Sequence, residues 1–94
     1  GEVVGSNVAV EGHTDNVPIK YSSWKSNWEL SAARALAVLH YFTDEGGVDP
    51  HRLSAEGSGE YRPTASNATE EGQKQNRRVE IVIKPSSGLK KVKP

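Results

Sequence analysis

The segment from Ser26 to Gly47 constrains this chain most, because it reads as a capped helix with one apolar side. Ser26-Asn27-Trp28-Glu29 is a capping-box pattern, in which Ser26 accepts from the backbone N–H of Glu29 and Glu29 reaches back. At 100° per residue, Trp28, Ala32, Ala35, Leu36, Leu39 and Phe42 share one stripe, and Gly46-Gly47 offers a left-handed stop. A helix is expected over 27–45. Asn27, Ser31, Arg34, Val38 and Tyr41 stack along one flank of that stripe, which puts Arg34 at the border of the core.

Such a helix needs a surface to cover, and three β-favouring runs can supply it. Val8 and Val10 alternate over 8–11 before Gly12, a short strand is expected over 53–56 before Gly57, and Val79, Ile81 and Ile83 alternate over 79–84. The apolar face of the last strand needs a helix over it. Asp49-Pro50 reads as a cap and one helical turn, and Asn67 with Glu70 as the cap of a short helix ending near residue 75, with Gly72 inside it. The order strand, helix, strand, helix, strand predicts an α/β two-layer sandwich in which the long helix permits parallel neighbours. With 94 residues there is material for one small domain. Its boundaries are expected at 8–84, with residues 1–7 as an N-terminal remnant and 85–94 as a flexible basic tail.

The charges balance at twelve against twelve, so no global field favours nucleic acid or an anionic membrane. The chain has no cysteine, hence neither disulfides nor thiolate metal ligands. Its apolar runs are far shorter than the roughly 20 residues that cross a bilayer, so any export signal or anchor is expected upstream.

Three histidines invite an enzyme reading, with Asp15 orienting His13 and Ser31 as nucleophile, but no oxyanion hole accompanies them. His13 and Asp15 lack further ligands at metal spacing, and His40 and His51 fall on an outer helix face and a loop. No catalytic group, metal or cofactor is expected. Trp24 and Trp28 could stack on a sugar, although Trp28 belongs to the apolar stripe and is expected in the core.

A more promising set is Thr14, Asp15, Asn27, Arg34, Asn76, Arg77 and Arg78, drawn from a strand end, a helix start and flank, and the entry to the last strand. Loops at one end of a parallel sheet gather together, so these groups can converge on one concavity. A carboxylate and a guanidinium there suit a zwitterion: Arg34 would grip a carboxylate bidentately and Asp15 would accept from an ammonium. Asp15 and Arg34 could equally pair with each other, and spacing does not separate the two. Of the adjacent Arg77 and Arg78, one is expected to reach the site.

Glu11-Gly12-His13-Thr14-Asp15, then Asn27-x-x-Leu30-Ser31-x-x-Arg34-Ala35, then Asn76-Arg77-Arg78-Val79-Glu80-Ile81 resemble the OmpA-like peptidoglycan-binding family. Within it, Val17-Pro18 in a long loop after Thr14-Asp15 is similar to the flagellar-motor stator branch. The resemblance covers about residues 8–84 and implies a two-layer OmpA-like fold whose first strand and helix are largely absent here. It also implies non-covalent binding of peptidoglycan through the diaminopimelate of the stem peptide. Asp15 would take its ammonium and Arg34 its carboxylate, with Thr14, Asn27, Leu30 and Arg77 lining the pocket. The stator branch further implies a periplasmic wall anchor, a homodimer, and a MotA-type stator subunit reached through an upstream transmembrane helix. An anchor of an outer-membrane protein or lipoprotein is the alternative within the family, and a cell-wall hydrolase is a remote one.

Overall fold

The computed structural model describes residues 6–19 and 23–85. The remnant expected before residue 8 and the tail expected after residue 84 lie largely outside those residues. The elements run β1 (Ser6–His13), α1 (Asn27–Asp44), a 3-10 turn (Pro50–Arg52), β2 (Leu53–Gly57), α2 (Glu70–Asn76) and β3 (Arg78–Pro85). They alternate as the sequence predicts, with each strand slightly longer than its apolar run.

β1 is the central strand, parallel to β2 and antiparallel to β3. α1 crosses from β1 to β2 and packs on both, which gives the two layers. Its closeness depends on one rung of the sheet, where Gly12 of β1 lies opposite Gly57 of β2. A Cβ on Gly12 would stand 2.0 Å from the Ser31 carbonyl oxygen, and one on Gly57 would stand 2.7 Å from the Ala32 nitrogen. The helix backbone therefore rests directly on the sheet, and only small side chains fit beneath it.

That close approach rotates the buried line of α1 away from the expected stripe. Asn27, Ser31 and Ala35, at steps of four, are buried, while Trp28 and Leu36 are 48% and 45% exposed. Among the described residues the fully buried apolar side chains are Ala9, Val10 and Ala35. Trp28 is thus a surface residue and not core: its ring stacks on Tyr61 at a centroid distance of 4.8 Å. Arg34 is likewise exposed.

The ends of the helices differ from the expected caps in detail. Ser26 accepts from the N–H of Trp28, one residue earlier than expected, and its hydroxyl donates to the Glu29 carboxylate. That hydrogen bond holds Glu29 below the usual 4.5. The left-handed residue after α1 is Gly47, at φ +66. α2 is capped by Thr69 and not by Asn67. The cause is the packing of the preceding segment, whose Ser66 carbonyl oxygen would stand 1.7 Å from a Cβ on Gly72. The glycine inside α2 is what admits that strand of loop. Asn67 is used instead as an acceptor for the Asn76 amide.

β3 pairs its apolar residues with those of β1, Ile83 opposite Val8 and Ile81 opposite Val10. α1 does not extend over them, so Ile81 and Ile83 stay 43% and 64% exposed. They border a shallow apolar hollow with Val8, Phe42, Val48 and Leu53.

Candidate functional site

The parallel strands β1 and β2 end side by side, and of the groups singled out in the sequence Thr14, Asp15, Asn27 and Arg77 meet at that end. The chain leaves β1 into Thr14 and Asp15, both buried. The Thr14 N–H donates to the Gly59 carbonyl just after β2, and the Ser58 N–H donates to the Gly12 carbonyl, so the two strand exits are stitched together. The Thr14 hydroxyl donates to the Asp15 carbonyl at 2.7 Å.

The Asp15 carboxylate is held at both oxygens. Oδ1 accepts from the Val17 N–H at 3.0 Å, and Oδ2 accepts from Arg77 Nη1 at 2.6 Å. The aspartate side chain is 9% exposed and the arginine 42%, so the pair sits at the surface with its acid end inside. Arg77 directly follows α2, and the adjacent Arg78 opens β3. Arg78 turns to Glu80 and to the carbonyls of Asn76 and Arg62.

Asn27, the first residue of α1, closes one side. Its amide donates to Glu60 Oε1 at 3.0 Å, to the Val17 carbonyl at 3.2 Å and, at 3.4 Å, to the Asp15 carbonyl. The loop after Asp15 is thereby tied to the helix. Leu30 is half-buried one turn further on. Arg34 follows at two turns from Asn27, exposed and without an ion pair among the described residues.

Asp15 and Arg34 are therefore not bonded to each other: the partner of Asp15 is Arg77. The structure brings Thr14, Asp15, Asn27 and Arg77 into one hydrogen-bonded set and leaves Arg34 outside it, exposed on α1 with no ion pair among the described residues. Asn76 has a supporting place. Fully buried, its Oδ1 accepts from the N–H groups of Thr64 and Ala65, and its amide donates to the Ala65 carbonyl and to Asn67. It fixes the loop before α2 and so the position of Arg77. Glu60 was missed in the sequence, where nothing marks a glutamate after a turn as the partner of Asn27.

The hydrolytic constellation does not form. The Ser31 hydroxyl is fully buried, donating to the Trp28 carbonyl and accepting from the Gly59 N–H. The nearest carboxylate to His13 belongs to Glu11, with Oε1 at 3.7 Å from Nε2, and Asp15 is engaged elsewhere.

A profile of the OmpA family matches residues 3–77, which is most of the chain. This chain belongs to the OmpA family. Among curated relatives, Motility protein B of Bacillus subtilis is 48% identical over 79 residues, covering 84% of this chain and 30% of the relative. Outer membrane porin F of Pseudomonas aeruginosa is 45% identical over 78 residues, covering 83% of this chain and 21% of the relative. This OmpA-family chain thus spans under a third of the length of either protein. Among solved structures, the C-terminal domain of Helicobacter pylori MotB superposes with a TM-score of 0.81 at 34% identity. That match covers 92% of this chain and 65% of the other. The cell wall anchor of the T6SS from Pseudomonas aeruginosa gives 0.76 at 44% identity, covering 87% and 55%.

Proposed function

We propose that this chain is a non-enzymatic anchor that holds peptidoglycan without covalent linkage, as the wall-binding part of a flagellar stator protein in the periplasm. The unit proposed to bind is residues 8–84. Its resemblance to Motility protein B and to the periplasmic domain of MotB supports the motor setting, and the likeness to a cell wall anchor supports the ligand. The observation that supports the reading is a buried, oriented carboxylate at a strand exit, together with an exposed guanidinium on α1 that no side chain among the described residues neutralises.

Asp15 is the ammonium acceptor in this reading and Arg34 the carboxylate donor, together gripping the free amino and carboxyl groups of diaminopimelate. A carboxylate offers about four lone-pair positions, and Val17 and Arg77 use two of those on Asp15. The two others are assigned to the ammonium. Arg34 lies seven residues beyond Asn27, about 10 Å along the helix axis, and helical side chains lean toward the N-terminus. A side chain of that length can reach back toward the strand exit. Thr14 and Asn27 hold the loop, Leu30 offers an apolar wall, and Arg77 orients Asp15 while offsetting its charge.

Attachment at many wall contacts would resist the reaction torque of a rotor, and each can be weak because dimers raise effective concentration. The homodimer and the MotA-type subunit, reached through a transmembrane segment upstream, belong to the same proposal. Outer membrane porin F is nearly as similar as Motility protein B, so an outer-membrane anchor with the same wall site is the second reading.

The test is co-sedimentation with purified cell wall. Wild type is expected in the pellet with no muropeptides released, and Arg34→Ala in the supernatant with an unchanged circular dichroism spectrum. Muropeptide release by wild type, or full pelleting of Arg34→Ala, contradicts the proposal.

A further inference from the structure

The face of the sheet turned away from α1 carries a second group of chemically active side chains. Gly12 points at α1, so its neighbours Glu11 and His13 point to the opposite face. The strand register sets Glu56, Glu11 and Glu80 in one row across β2, β1 and β3. Like charges directly opposite one another on a sheet repel, so this row calls for positive charge. Arg78 meets part of that demand by donating Nε to Glu80, and its other N–H contacts go to backbone carbonyls.

His13 adjoins the row, with its side chain 3% exposed. Neither ring nitrogen has a hydrogen-bond partner among the described residues. The approach of Nε2 to Glu11, at 3.7 Å, is too long for a hydrogen bond. A buried imidazole without a partner, aimed at carboxylates, is costly to keep unless something bridges them.

We propose that Glu11, His13 and Glu80 bind one divalent transition cation of the Zn²⁺ class. One ligand atom from each lies within 4.8 Å of the other two. Ligands at about 2.0–2.2 Å from zinc stand roughly 3–4 Å apart, so small side-chain rotations complete the set. The neutral imidazole nitrogen selects zinc-like ions over Mg²⁺ and Ca²⁺, which take oxygen ligands. The ion offsets the glutamate row, and water fills the remaining position on the side where Glu80 is 44% exposed. Arg78 holds Glu80 through Oε2, which leaves the other carboxylate oxygen for the ion. This site lies on the face opposite α1 and does not depend on the wall-binding reading.

Zn²⁺ alone, titrated into the intact chain in a non-chelating buffer, tests the site by calorimetry with nitrogen NMR of the imidazoles. One ion per chain is expected, with the His13 ring nitrogen shifting and Mg²⁺ giving no heat. Glu11→Gln and Glu80→Gln should each weaken binding at least tenfold while keeping the circular dichroism spectrum. They are preferred to His13 variants because His13 is buried and its loss can unfold the chain. Absence of saturable binding overturns the proposal. So does binding unchanged in both glutamine variants, or binding abolished by His51→Ala, which would put the ion at the exposed Asp49–His51 pair.

Discussion

Asp15 is one of few charged side chains buried among the described residues, and both its oxygens are satisfied. Removing Arg77 leaves a mostly buried carboxylate with a single backbone donor. Arg77→Ala is therefore expected to lower stability by about 1–3 kcal/mol, read as a shift of the urea midpoint. Arg34→Ala removes an exposed side chain with no ion pair among the described residues and is expected to move that midpoint by less than about 0.5 kcal/mol while reducing wall binding. The opposite ranking would make Arg34 the structural residue and Arg77 the ligand residue. The choice between these arginines was beyond reach of the sequence. Motif spacing put Asp15 and both arginines in one neighbourhood, but which guanidinium meets the acid depends on where the end of α2 lands, a matter of tertiary packing.

The elements were legible wherever period and punctuation agreed. α1, the turn at Asp49-Pro50 and all three strands follow from apolar spacing and cap residues, since those signals are local. The buried face of α1 was not legible, because the Gly12–Gly57 rung moves the contact line onto small side chains. Nothing in the helix itself encodes a rung formed by two distant glycines. Gly12→Ala tests that rung: with backbone at 2.0 Å from the new methyl, α1 must shift, and a loss on the order of 1–3 kcal/mol is expected in denaturant unfolding. Wild-type stability in that variant would mean α1 is free to move outward. β3 carries a pH dependence. The Arg78 hydrogen bond holds the Glu80 carboxyl below its usual 4.5. The unfolded chain then binds that proton more readily than the folded one. The contribution is present above pH 4.5 and lost as pH falls through the lower folded value. Glu80→Gln should flatten the acid limb of a plot of urea midpoint against pH, and an unchanged limb would remove this pair from the account.

At the scale of the whole molecule, stability rests on a thin core and a polar scaffold. With Val10 fully buried at the centre of the sheet, Val10→Ala is expected to cost about 1.5–3 kcal/mol, while Ile83→Ser on the uncovered part of β3 should cost far less. Equal losses in thermal or urea unfolding would mean that β3 is covered in solution. Buried Asn27, Ser31 and Asn76 do as much positioning as the apolar residues, tying the strand exits, the helix start and the α2 loop into one frame. That frame fixes Asp15 at the strand exit, and the proposed wall binding adds Arg34 from α1. The most direct measurement is the retention of the chain on purified diaminopimelate-containing sacculi, with free diaminopimelate added as competitor. The account predicts retention that falls as competitor rises and is absent in Arg34→Ala; retention indifferent to diaminopimelate, or none by the folded wild type, would contradict it.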